Sequence, residues 1–256
     1  MATRIELLDA RRLTGPNRLF DVPGTILDVV CDAGEAARLA PVWERHARRV
    51  VARLGWAGEP EYRSLQVQGG VSLGFTAPID ALYTAVAAGE WAFAAALAEL
   101  SGAPAPDFEA ALADLQRAQA EEANPALIQL QAAAAARGVT FLWDDDEVSL
   151  GMGRRSRTYP ARALPAVSTP DWETFADVPV AVVTGTNGKT TTVRLAAHIA
   201  RGAWAGVGIS STDYIAVDDR IVDRDDWSGP GGARIVLRDR AVDCAILETA
   251  RGGLLR

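Results

Sequence analysis

The chain is 256 residues long and 49% hydrophobic, with a formal net charge of −7. That length accommodates one to two domains with real cores, and the acidic balance argues against a general nucleic-acid-binding surface. No apolar run reaches the ~20 residues a membrane helix needs, and the opening MATRIELLDARRL has no apolar core for export, so a cytoplasmic location without a membrane partner is expected.

Residues 1–150 read as a self-contained α+β unit. Within it, Thr14-Gly15-Pro16-Asn17 is a turn signal. Thr25–Cys31 reads as a strand, and Glu35–Leu54 as an amphipathic helix with Ala, Leu, Val and Trp at helical spacing against Glu44, Arg45, Arg48 and Arg49. Arg63–Phe75 alternates apolar and polar residues about Gly69-Gly70, which predicts a hairpin or a bulge. Three Ala-rich helical patterns follow near 79–100, 106–119 and 124–137, and a last strand near Val139–Trp143. The acidic run Asp144–Glu147 is read as a solvated strand end, because adjacent carboxylates on a strand point to opposite faces. Cys31 and Cys244 sit in apolar runs and are expected as buried thiols. With only His46 and His198, zinc chemistry has almost no ligands to draw on.

From Gly151 to Pro179 the composition shifts to Arg, Ser, Thr and Pro, which is linker composition. The cluster Arg154-Arg155-Ser156-Arg157 is read as part of a solvated basic linker in preference to a phosphate contact.

The sharpest chemistry lies in Val180–His198, VAVVTGTNGKTTTVRLAAH. Four apolar residues run into a small polar turn, and the turn runs into a helix expected to carry Val193, Leu195, Ala196 and Ile199 on one side. This is the order strand, phosphate loop, helix. Gly185 and Gly188 free the backbone to curl so that N–H groups of Gly185, Thr186, Asn187, Gly188, Lys189, Thr190 and Thr191 face phosphate oxygens, with the helix dipole adding to the attraction. Lys189 supplies a mobile cation for the outer phosphates, and the Thr190 hydroxyl is placed to hold magnesium. Lys189 is also the sole lysine beside 25 arginines, so an ammonium is kept where a planar guanidinium cannot serve. The bland alternative, a Gly-rich turn with a surface lysine, leaves that exclusivity unexplained. The loop departs from G-x-x-x-x-G-K-[ST], since Val183 stands where that pattern has its first glycine.

Beyond the helix, Ala205–Val217 is strand-like and interrupted by Ser210, Ser211, Thr212 and Asp213, and Asp225–Ala233 reads as a Gly/Pro loop. Val242–Leu247 looks like a buried parallel strand with Glu248 at its carboxyl end, where ligands bind in open α/β sheets. Glu248 is therefore the second expected magnesium ligand, with a surface glutamate as the alternative.

The loop Thr184–Thr192 resembles the ATP loop of the Mur ligases, and Glu248–Arg256, E-T-A-R-G-G-L-L-R, resembles the Mur-ligase-like part of the cyanophycin synthetases. S-S-T-D-Y and S-G-P-G-G-A-R between them are similar to segments of the same family, as are R-R-L-T-G-P-N at Arg11–Asn17 and V-S-L-G-M-G-R-R-S-R at Val148–Arg157. The resemblance implies an α/β fold. An N-terminal cyanophycin-synthetase-like α+β domain at 1–150 and a linker at 151–178 would precede the first part of a P-loop, mostly parallel-sheet ATP-binding domain at 179–256.

It also implies an ATP-dependent, amide-bond-forming ligase that works through an acyl phosphate, with ATP and Mg2+ as cofactors and carboxylate and amine (amino acid or peptide) substrates. Lys189 would be the catalytic cation. The ATP-grasp domain of that family is missing between the two parts, and its downstream histidine, lysine, base contacts and C-terminal domain would fall beyond 256. The chain is thus expected to be a fragment, with an apolar sheet edge left for a partner chain or a homo-oligomer to complete. The competing expectation is a nucleotide-binding module or subunit without ligase activity of its own. A third reading, a P-loop kinase or GTPase, is disfavoured, because no Asn/Thr-Lys-x-Asp base-reading motif is present.

Overall fold

The computed structural model describes residues 5–250. Most of the E-T-A-R-G-G-L-L-R motif, from Arg251 onward, lies outside the described residues. The chain divides into two compact units, 1–128 and 129–256.

The first unit opens with β1 (Glu6–Leu13), β2 (Gly24–Val30), α1 (Ala33–Val51), β3 (Tyr62–Val67), β4 (Gly70–Thr76), α2 (Leu82–Ser101) and α3 (Phe108–Glu122). The strands form an antiparallel sheet in the order β1-β2-β4-β3. Alternation on β2 and β4 sends Leu27, Val29, Val71, Leu73 and Phe75 into a core with Leu39, Trp43, Ala47 and Val50 of α1 and Ala85, Ala88, Ala92 and Ala96 of α2. The alanines of α2 let helix and sheet approach closely. At Gly89 even a methyl group would lie 2.7 Å from the Leu27 side chain, and its carbonyl accepts the Trp43 indole N–H at 3.2 Å.

The opposite face of this sheet is covered by the segment after β1. The Asn17 side-chain oxygen accepts the N–H groups of Leu19 and Phe20, both at 2.9 Å, an Asx turn that delivers Leu19 and Phe20 against Leu13 and Ile26. Asp32 and Glu35 close a reciprocal capping box at the start of α1. The predicted hairpin at Gly69-Gly70 is present, with Gly69 at φ 81°. β1 was not legible in the sequence. It is a bulged edge strand whose Arg11 pairs with Asp9 and Asp28, so it carries no apolar alternation.

Helix α4 (Pro125–Ala135) leads into the second unit, which continues with β5 (Phe141–Trp143), β6 (Glu147–Leu150), β7 (Arg157–Pro160), β8 (Val180–Val183), α5 (Lys189–Ala200), β9 (Val207–Ser210), β10 (Ile215–Val217), β11 (Arg220–Asp223), α6 (Pro230–Arg238) and β12 (Cys244–Glu248). β5 and β6 pair with β7, forming a three-stranded antiparallel sheet in the order β5-β6-β7. The acidic run is not merely solvated. It forms the β5–β6 turn, in which Asp144 accepts the N–H groups of Asp146 and Glu147 and a guanidinium N–H of Arg238 at 2.6 Å.

The larger sheet has the order β11-β10-β9-β12-β8. β12 lies parallel to both β8 and β9, whereas β10 runs antiparallel to β9 and β11. The sheet is therefore mixed, a correction to the mostly parallel sheet expected: the hydroxyl cluster after β9 turns the chain straight back as a hairpin instead of into a crossover. α5 covers one face and α6 the other. Cys244 and Ile246 pack with Val193, Ala197 and Ala200 of α5, and Ala245 and Leu247 with Val236 and Leu237 of α6. The buried stripe of α5 is Val193, Ala197 and Ala200, not the expected set with Leu195 and Ile199, which are 59% and 68% exposed. Positions 193, 197 and 200 follow the helical spacing of one face, and 195 and 199 fall on another. α6 begins inside the stretch read as a Gly/Pro loop, with Pro230 at the first helical position, where a missing N–H costs nothing.

Candidate functional site

The expected strand-turn-helix succession is β8, residues 184–188 and α5. The turn is exposed, and Gly185 and Gly188 take φ values of 153° and 78°. Gly188 is the N-cap of α5 and no side chain caps the helix. The first hydrogen bond back to the loop is from the N–H of Thr192 to the Gly188 carbonyl at 2.9 Å. The N–H groups of Lys189, Thr190 and Thr191 precede it and have no intrahelical acceptor, and they lie at the positive end of the helix dipole.

The parity of β12 delivers Glu248 to this point. Cys244 and Ile246 face α5, so Glu248, two positions further on, projects to the same side at the strand's carboxyl end. There Thr190 Oγ1 donates to Glu248 Oε2 at 2.8 Å. The N–H of Thr212 points at the same oxygen at 3.4 Å, and the Thr190 and Thr212 hydroxyls lie 3.0 Å apart. Lys189 Nζ stands 3.8 Å from Oε1, an ion-pair distance too long for a hydrogen bond. Glu248 is 2% exposed, and among the described residues its buried Oε1 has no hydrogen-bond donor. A buried carboxylate left half-satisfied beside hydroxyl oxygens is a hard-oxygen donor set of the kind magnesium takes with phosphates and water, so Thr190 and Glu248 fit the ion expected of them. Among the described residues no group of three or more His, Cys, Asp and Glu side chains forms a metal cage.

Of the expected site residues, Lys189, Thr190 and Glu248 thus converge. Gly185, Thr186, Asn187 and Gly188 form the turn above them, and Thr191 is exposed on the first helical turn. The loops around them are tied together: the N–H of Trp227 bonds to the Ser211 carbonyl, and that of Ala250 to the Ser228 carbonyl.

No protein-family model matches the chain. Over 117 residues it is 44% identical to cyanophycin synthetase of Synechocystis sp. and 45% identical to that of Geminocystis herdmanii, and over the same length 41% identical to that of Crocosphaera subtropica. Across that stretch the chain is close to cyanophycin synthetase. In each case the match covers 43% of this chain and 13% of the relative. The cyanophycin synthetases are therefore far longer than the part compared.

Two residues of the site escaped the sequence. Thr212, seen only as part of a hydroxyl cluster, contacts both Thr190 and Glu248. Asp226, inside the supposed loop, accepts the hydroxyl of Ser228 at 2.7 Å and its N–H at 3.0 Å. These bonds, with the charge of Lys189, hold its carboxyl below the usual aspartate range. Only the D-x-S spacing ahead of α6 could have drawn attention to it. Among the described residues no helix is long and apolar enough to cross a membrane.

Proposed function

We propose that the chain carries the nucleotide end of an ATP-dependent ligase that joins a carboxylic acid to an amine through an acyl phosphate. The observation that carries this reading is the convergence of Lys189, Thr190 and the half-satisfied Glu248 carboxylate at the uncapped start of α5. The relatives are cyanophycin synthetases, and a synthetase supports the same class.

In this scheme the acid's carboxylate oxygen attacks the γ-phosphorus and ADP leaves. The amine then attacks the acyl carbon, phosphate leaves with the C–O electron pair, and the amine's proton goes to solvent base as the amide forms. The N–H groups at 185–191 bind and orient the phosphates, and Lys189 places a compact positive charge against the negative charge of the transferring phosphoryl group. Thr190 and Glu248 would hold magnesium, which when bound neutralises phosphate charge. Thr212 fixes the Glu248 carboxylate in place. The substrates are ATP, an acid and an amino acid or peptide amine.

The edge position of β8 favours a second reading. Val180 and Val182 are 40% and 58% exposed, and among the described residues β8 pairs with β12 alone. A module that binds nucleotide without ligating fits that geometry. Calorimetry with Mg·ATP and an assay of ADP release with candidate acids and amines separate the two. Saturable binding lost in Lys189→Ala, with ADP release only when acid and amine are both present, supports the ligase. Binding without such release supports the module, and unchanged binding in Lys189→Ala refutes both.

A further inference from the structure

The basic cluster of the supposed linker lines a cavity. Arg154, Arg155, Ser156 and Arg157, together with Asp171, Thr174, Phe175 and Arg240, surround about 600 Å³. The backbone is fixed here. The N–H of Arg154 bonds to the Val242 carbonyl at 2.8 Å, and Gly153, at φ 56°, lies so close that a methyl group would be 2.3 Å from the same oxygen. Val242 precedes β12, whereas Glu248 ends it, so the cavity lies about 15–20 Å from the phosphate loop at ~3.3 Å per strand residue.

The four guanidinium groups are not equivalent. Arg154 pairs with Asp243 at 2.7 Å. Arg155 donates to two backbone carbonyls, of Thr174 at 2.8 Å and of Glu173 at 3.2 Å, so it is held rigidly without meeting a countercharge. Arg157 lies over the ring of Tyr159. Among the described residues neither Arg155, Arg157 nor Arg240 has a carboxylate partner. Asp171 is the only acid in the lining, so with Asp243 neutralising Arg154 the cavity keeps an excess of two positive charges. In a chain of net charge −7 that is a local inversion of sign. A phosphate monoester carries about −1.5 to −2 at pH 7, and guanidinium forks match its oxygens bidentately.

We propose that this cavity is a second anion site that takes the phosphate group of a small molecule, separate from the loop at Lys189. The site is independent of the ligase reading. The test is calorimetry on the full chain with pyrophosphate and, separately, with succinate, using wild type, Lys189→Ala and the double variant Arg157→Gln/Arg240→Gln made in the Lys189→Ala background, so that the loop does not mask the change. Both arginines of the double variant are exposed, and its circular dichroism should match wild type. The expected result is saturable pyrophosphate binding that survives Lys189→Ala, weakens at least tenfold in the double variant, and exceeds succinate binding at least fivefold. Loss in Lys189→Ala would assign the anion to the loop and overturn the proposal. Equal binding by the folded double variant, equal binding of succinate, or no saturation in wild type would each overturn it as well.

Discussion

Thr190 Oγ1 donates to one oxygen of the buried Glu248 carboxylate at 2.8 Å, and among the described residues the other oxygen of that carboxylate has no hydrogen-bond donor. Such an asymmetry costs free energy, which the Lys189 ammonium 3.8 Å away offsets in part and a cation bound at that oxygen would offset further.

Glu248→Gln should therefore separate stability from binding. The amide keeps the volume and removes a poorly paired buried charge, so the unliganded protein should melt at the wild-type temperature or above. Affinity for ATP in the presence of magnesium should fall by roughly 10–100-fold, the worth of a charge-assisted contact of about 1.5–3 kcal/mol, and affinity without magnesium should not fall. Calorimetry with and without the ion reads the difference.

Lys189→Arg tests whether charge alone is enough. The ammonium is a compact, rotatable point donor, and the guanidinium is a larger planar fork. ATP affinity should drop at least tenfold despite the conserved charge. An affinity equal to wild type would mean that Lys189 acts only as a distant cation.

Gly188→Ala tests the backbone. A methyl group there meets nothing within 4 Å, but the residue sits at φ 78°, so the penalty is conformational. We expect a loss of ~1 kcal/mol, seen as a small drop in the melting temperature, and weaker phosphate binding as the turn relaxes.

Trp43→Ala empties the centre of the first unit. Trp43 is 1% exposed, packs near Phe75 and donates to Gly89. Its loss should cost about 3–5 kcal/mol, so denaturant unfolding of the first unit shifts while Mg·ATP binding by the second is retained.

Asp144 gives a pH dependence. Burial pushes its carboxyl up, but the hydrogen bond from Arg238 and the N–H groups of Glu147 and Asp146 outweigh that and hold it below the usual aspartate range. The folded value lies below the unfolded one. Its stabilisation is therefore complete above the unfolded pKa of about 3.9 and is lost as pH falls through the depressed folded value. Urea midpoints from pH 6 down to pH 3 should fall less in Asp144→Asn than in wild type.

The sequence was most readable where one local rule was enough. The apolar run into T-G-T-N-G-K-T-T located the strand, turn and helix start, because glycine freedom and a single lysine are properties of a few adjacent residues. Glu248 was legible for the same reason, as a charge ending an apolar strand. What stayed hidden depends on pairing between distant segments. β1 is held by a ladder to β2 and by Arg11–Asp28, Thr212 reaches Glu248 only after a hairpin, and Asp226 meets the charge of Lys189 only once α6 has packed. The orientation of α5 was misjudged because Leu195 and Ile199 are apolar yet uncovered, and hydrophobicity alone does not say which of two apolar stripes meets the sheet.

The alternation along β12 makes the site sensitive to counting. Because side chains change face at every residue, deleting any one residue between Cys244 and Leu247 would turn the carboxylate toward α6 and place Thr249 beside the turn. The composition, the charge and nearly all of the buried area would be kept. A library of single deletions in this strand should therefore contain proteins that fold and no longer respond to magnesium, the same uncoupling expected of Glu248→Gln but reached by a change of register.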